Sequence, residues 1–159
     1  MITKTVFLCT LVAYSIIVSQ SFMYILALRQ VQLNLKASSY TEFRKLIDVS
    51  MRNNFKYVVY TALIANLVLV ILTFRNPGSL LFVAATIAFI GLITDTLLMV
   101  KGNLPVNDII NRWTSESYPE NWSEYRDKWL NIFQYRQFSN IIGFISLLFG
   151  AVFGSVTQV

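Results

Sequence analysis

Apolar residues gather in four unbroken stretches: about Val6 to Leu28, Tyr57 to Phe74, Leu80 to Val100 and Phe138 to Val156. Each approaches the roughly 20 residues that a helix needs to cross a bilayer, and Asp95 is the only charge within them. Between the second and third, Arg75-Asn76-Pro77-Gly78-Ser79 reads as a tight turn, so these two spans should form an antiparallel hairpin. The pattern predicts an all-α integral membrane protein: an antiparallel four-helix transmembrane bundle with amphipathic cytoplasmic helical extensions, one domain over residues 1–159.

The two longer connections carry helical patterns of their own. In the first, Ser39-Tyr40-Thr41-Glu42 matches a capping box, and Phe43, Leu46, Ile47 and Met51 follow at helical spacing with Arg44, Lys45 and Asp48 between them. This predicts a short amphipathic helix, lying on the membrane surface or extending the second span, with the apolar stripe as its packing face. In the last connection, Val106 to Trp113 should form a short helix with Asp108 and Arg112 paired one turn apart. Asn121-x-x-Glu124 then starts a helix whose pattern (Tyr125, Trp129, Ile132, Phe133, Arg136) runs without Pro or Gly as far as Gly143. One long helix therefore enters the membrane as the fourth span. Trp122, Tyr125 and Trp129 fit an interfacial aromatic belt.

Composition agrees: 159 residues are 55% hydrophobic and 13% charged, about half the usual charged share, with a mean hydropathy of +0.57. The net charge of +5 is a topology signal rather than a nucleic-acid footprint. The termini and the tight turn hold only Lys4 and Arg75. The other face holds Arg29, Lys36, Arg44, Lys45, Arg52, Lys56, Lys101, Arg112, Arg126, Lys128 and Arg136. By the positive-inside rule both long connections are cytoplasmic and both termini outside, as in a bacterial inner membrane. The first span is too long for a signal peptide and lacks a small-x-small cleavage site. Cys9 follows a bulky Leu that does not fit a lipidation site, and reads as a buried structural thiol.

The absence of His excludes Ser–His and Cys–His catalysis and His-ligated metals, and no P-loop, GxGxxG, CxxC or HExxH occurs. No metal or cofactor is expected. Polar residues within the spans are costly and tend to face the bundle interior: Gln20 and Tyr24 share one face of the first span, Asn66 sits in the second as interhelical glue, Asp95 is a proton-handling candidate in the third, and Asn140 lies in the fourth. Gly150-Ala-Val-Phe-Gly154, with Gly143 before it, allows close helix approach, either within the chain or with another copy or membrane partner.

Asn103-Leu104-Pro105-Val106-Asn107-Asp108, then Trp113, then Trp122, Arg126, Trp129 and Arg136 at W-x3-R-x2-W-x6-R spacing, resemble the anthrone oxygenase-like family of small four-helix membrane proteins. The resemblance covers the chain from Asn103 onward and rests upstream on the arrangement of helices. It implies cofactor-independent oxidation of a hydrophobic phenolic, anthrone or quinone-like molecule: proton abstraction beside a carbonyl, then reaction of the enolate with dioxygen. Asp95 or Asp108 would be the base, and Arg126, Arg136 and Asn107 would stabilise developing negative charge. Asn103, Asn107, Trp113, Trp122, Trp129 and Gln134, with Gln20 and Tyr24, would bind substrate. Gln134 stands where family members often carry a His. Arg126 and Trp129 lie on adjacent turns, so the guanidinium can sit over the indole. Arg136, where the aromatic run meets the apolar span, must pair with an acid or bind something; Asp95, Asp108 and the Asn-x-Pro-x-Asn turn are the expected partners. The other reading, a non-catalytic membrane subunit holding a lipid, quinone or partner protein, follows from the Gly-rich fourth span and the lack of an obvious base.

Overall fold

In the computed structural model, which describes residues 1–154, the chain forms four long helices: α1 Ile2–Asn34, α2 Ala37–Thr73, α3 Leu80–Ile110 and α4 Trp122–Phe153. All four are long and apolar enough to cross a membrane, and no strand occurs among the described residues. The last two residues expected for the fourth span, Ser155 and Val156, lie outside the described residues. At 1.5 Å per residue the helices are roughly 50 Å long, well beyond the roughly 30 Å of a hydrocarbon core. Their polar ends therefore build a second layer of structure.

Only the extended pair Leu35-Lys36 separates α1 from α2, so the first connection is helix throughout and the predicted amphipathic segment is the beginning of α2. The capping box does not form. The helix starts at Ala37, three residues earlier than a cap at Ser39 would give, and Ser39 lies inside its first turn. Between α2 and α3, Ser79 accepts a hydrogen bond from Phe82 N at 3.2 Å and caps α3. Asn121 precedes the first residue of α4 as predicted, its amide donating to Glu124 at 3.1 Å.

Three of the helices contain one wider, π-helical turn: Tyr24–Leu28 in α1, Met51–Phe55 in α2 and Met99–Asn103 in α3. Pro105 accounts for the third. Its ring would clash with the carbonyl four residues back and it donates no hydrogen bond; widening the preceding turn lets α3 continue through it to Ile110. The Asp108–Arg112 pair is absent for a related reason. The helix ends at Ile110, Arg112 falls in the following turn, and Asp108 pairs instead with Arg52.

One core cluster lies between the apolar spans, built on Tyr14, Ile17, Leu69, Ala85, Ala88, Leu92 and Leu147. The tightest approach is between α3 and α4. A Cβ on Gly91 would meet the Ser139 carbonyl at 2.7 Å, and one on Gly143 would meet the Tyr14 hydroxyl and the Ala88 backbone. Tyr14 donates to the Ala88 carbonyl at 3.3 Å. Gly150 faces Ala84 and Leu81. The small-residue face thus packs inside the chain. Cys9, expected to be buried, is exposed, because Phe7, Thr10 and Tyr14 take the inward positions of α1. Asn66 is fully buried, but neither of its amide atoms has a hydrogen-bond partner among the described residues.

The second cluster joins Tyr24, Tyr40, Val106, Ile110, Trp113, Trp129, Leu130 and Phe133. Trp113 and Trp129 are buried in it, and Trp122 packs on Tyr40 at 5.7 Å between ring centroids. The tryptophans therefore form a core rather than an outward belt.

Candidate functional site

The polar site starts from Arg136, three turns and more into α4. Arg136 is 7% exposed and Asp95 2%. Arg136 Nε donates to Asp95 Oδ1 at 2.7 Å, and Nη2 reaches Oδ2 at 3.5 Å. Its Nη1 donates to Asn103 Oδ1 at 3.1 Å, while Asn103 Nδ2 donates to the Trp129 carbonyl at 2.9 Å. This is the contact set expected of a buried arginine: one acid plus the first Asn of the Asn-x-Pro-x-Asn segment. Gly102 permits it, since a side chain there would strike Ile132 of α4 at 2.7 Å.

A second network joins α2 to α3. Arg44, 2% exposed, donates to Asn107 Oδ1 at 2.9 Å and to the Tyr24 hydroxyl at 3.4 Å, and its Cζ lies 3.9 Å from the centre of the Trp129 ring. Asn107 Nδ2 in turn donates to Asp48 Oδ1 at 2.7 Å, and Asn111 Nδ2 to Asp48 Oδ2 at 2.8 Å. Arg52 bridges Asp48 at 2.8 Å and Asp108 at 2.6 Å. Burial acts to lower the Arg52 pKa, but the hydrogen bonds and charges of Asp108 and Asp48 outweigh it and raise the pKa above its ordinary value. Lys45 donates to the Trp113 carbonyl. Tyr40 is fully buried, its hydroxyl has no partner among the described residues, and burial, opposed in part by Arg44, pushes its pKa up to about 12.

The first part of α2 departs from the sequence expectation only in part: Phe43, Ile47 and Met51 of the predicted stripe are half-buried. Its buried row is Ala37, Tyr40, Thr41, Arg44 and Asp48, and Leu46, from the predicted packing stripe, is 73% exposed. Arg44, Asp48 and Arg52 were not among the expected site residues. The signal was an i,i+4 row of alternating charge running on from Tyr40.

These networks wall a cavity of about 320 Å³, whose surface is mainly apolar and includes Phe55, Val59, Met99 and Phe133. All three π-helical turns contribute to it, through Tyr24, Met51 and Asn103 among others. Such turns recur at functional sites. The helices α2 and α3 touch towards the Phe74–Ser79 turn and again through the Asp48–Asn107 and Arg52–Asp108 contacts. Between those levels the cavity opens past Lys56, Tyr60 and Val100, all exposed. Tyr24 lies 4.5 Å from Phe133 and 5.7 Å from Trp129, ring centre to ring centre. Two buried donors, Arg44 Nε and Trp129 Nε1, have no acceptor among the described residues.

Of the residues expected at a site, Gln20, Tyr24, Asn103, Asn107, Trp129 and Arg136 line this cavity, with Asp95 directly behind Arg136. The rest lie away from it. Asp108 is at the surface beyond Arg52. Arg126 donates to the Leu33 carbonyl at 3.1 Å and sits over Trp122 rather than Trp129. Trp113 packs edge-on against Tyr125, Trp122 packs on Tyr40, and Gln134 is exposed on the outer face of α4. No group of three or more His, Cys, Asp or Glu among the described residues is placed to hold a metal. No known family model, no curated protein and no solved structure matches the chain.

Proposed function

We propose that the chain is an integral membrane protein, with its four helices antiparallel, its termini outside and its polar helix ends in the cytoplasm, that binds a hydrophobic, oxygen-bearing small molecule, lipid or quinone-like, in the cavity between α2 and α3. The outer faces of the helices support the first part: Ile64, Ile71, Ile90, Leu97, Ile142 and Phe149 are exposed, while Asn66, Asp95 and Asn140 are buried. The distribution of Lys and Arg supports the orientation and a bacterial inner membrane. At the level of the cavity mouth such a topology puts Lys56 and Tyr60 near the headgroups and the opening itself towards lipid.

The observation that carries the binding reading is the apolar cavity, lined by the buried polar residues Arg44, Asn103, Asn107 and Arg136 and open past the exposed Lys56, Tyr60 and Val100. Pockets of this kind, with few polar groups in a hydrophobic wall, hold small ligands. Binding without chemistry is favoured because every carboxylate near the cavity is engaged: Asp95 by Arg136, Asp48 by Arg52 and two amides, Asp108 by Arg52. Each would have to give up these contacts before it could act as a base.

The oxygenase reading rests on the convergence of Arg136, Asn103 and Asn107 on one cavity, where the resemblance to anthrone oxygenases implies substrate. It requires Asp95 to leave Arg136 and serve as base. Oxygen uptake by the purified protein with an anthrone, abolished in Asp95→Asn, would support it over simple binding.

Native mass spectrometry in mild detergent tests the binding reading. One small hydrophobic molecule per chain is expected to co-purify, and Thr96→Phe, which fills the cavity from α3, should release it. A bare chain that takes up no lipid or quinone, and that Thr96→Phe leaves unaltered, would sink the proposal.

A further inference from the structure

Three arginines line the cavity, and they differ in how their charge is met. Arg136 has Asp95, and Arg52 has Asp48 and Asp108. Arg44, the most buried of the three, has no carboxylate within ion-pair distance among the described residues; its partners are an amide oxygen, a phenol and an indole face. Asp48, one turn along α2, is already committed to Arg52, Asn107 and Asn111. Asp108 has a side chain 58% exposed, so water screens its charge from the cavity. At the mouth, Lys56 makes no ion pair among the described residues and rests over the Tyr57 ring. The cavity is therefore apolar in its walls but carries a buried, unpaired positive charge at Arg44, with Lys56 a second cation at its mouth.

A buried guanidinium without a counter-charge is costly. Water or a quinone carbonyl would leave that charge unmet, whereas an anionic head would answer it. The cavity volume of about 320 Å³ lies at the low end for ligand pockets, enough for a head and the start of one chain. Resting on the reading of this cavity as a binding site, we infer that its ligand is an acidic amphipath: a carboxylate or phosphate head at Arg44, with an apolar chain running past Phe55, Val59 and Met99 and out between α2 and α3 by way of Lys56 at the mouth.

The test compares tetradecanoate with tetradecan-1-ol, identical in chain and different in charge, binding to the full-length protein in non-ionic detergent, followed by native mass spectrometry and tryptophan fluorescence. The acid should bind at least tenfold more tightly than the alcohol. Arg44→Gln should erase that preference while leaving the affinity for the alcohol within about threefold. Arg44→Lys, which keeps the charge, should retain most of the preference, and Lys56→Gln, at the exposed mouth, should leave it within about twofold. Dioleoyl phosphatidic acid and tetradecanoate in competition separate the two sources of the head: displacement of the fatty acid at lower phospholipid concentration assigns a phospholipid, the reverse a free acid. Equal affinities for acid and alcohol, or a full preference surviving in Arg44→Gln, would overturn the inference and leave the cavity a neutral binding site. If acid, alcohol and a decyl-substituted benzoquinone all fail to bind, the binding reading itself falls too.

Discussion

Replacing Asp95 by Ala would leave the Arg136 guanidinium buried with Asn103 Oδ1 as its remaining partner. Breaking a buried pair in this way costs about 3–5 kcal/mol, a large part of the roughly 5–15 kcal/mol that holds a typical domain together. For a chain of this length each kcal/mol corresponds to about 2–4 °C in Tm, so a fall of roughly 6–20 °C is expected. The double variant Asp95→Leu/Arg136→Met removes both charges and keeps most of the volume. Because the desolvation penalty disappears with the ions, it should recover most of the loss and approach the parent. Thermal unfolding in detergent by near-ultraviolet circular dichroism supplies the measurement, and added salt should change little, since buried pairs are poorly screened. A single variant that loses less than about 1 kcal/mol, as exposed pairs do, or a double variant no more stable than Asp95→Ala, would refute the claim that Asp95 and Arg136 act as a buried unit.

Gly143→Ala should destabilise by about 1–3 kcal/mol through overpacking, and Tyr14→Phe in that background should recover part of it, because the added methyl meets the Tyr14 hydroxyl. Tyr40 has a folded pKa of about 12 against an ordinary 10.0, so its protonated form stabilises the fold below pH 10 and that contribution is lost as pH rises towards 12. It amounts to roughly 3 kcal/mol at about 1.4 kcal/mol per unit. Tyr40→Phe should therefore flatten the alkaline fall in stability, measured by unfolding between pH 9 and pH 12, and an unchanged slope would contradict the burial argument. A cysteine placed at Gly78 in a Cys9→Ser background should react with an impermeant maleimide from outside intact cells, whereas one at Ser115 should react only after lysis; the opposite pattern would reverse the proposed orientation.

The four apolar helices were legible because a run of about 20 apolar residues has few alternative meanings, and α4 because nothing between Asn121 and Gly143 breaks its pattern. The Arg136–Asp95–Asn103 contact was legible for an energetic reason: a guanidinium at that depth has to be paired, and few groups could reach it. The Arg44–Asp48–Arg52 row was missed because its partners, Tyr24, Asn107, Asn111 and Asp108, lie on other segments of the chain, and only their hydrogen bonds turn the row inward and leave Leu46 and Val49 outward. The π-helical turns at Tyr24 and Met51 left no mark in the sequence, whereas Pro105 marked the third. The glycines of α4 were readable as a close-packing face, but their partners, Tyr14, Ala84 and Ala88, lie on other helices and only tertiary structure brings them together.

The occupancy of the cavity between α2 and α3 bears most directly on the proposed function. An electron cryomicroscopy map of the protein extracted with its native lipids, with a fiducial binder to overcome its size, would show it. The account predicts one elongated density, its compact end beside Arg44 and its tail leaving past Tyr60 and Val100. A cavity holding only isolated waters, or one closed by the collapse of Phe55 and Met99 onto Trp129, would contradict it.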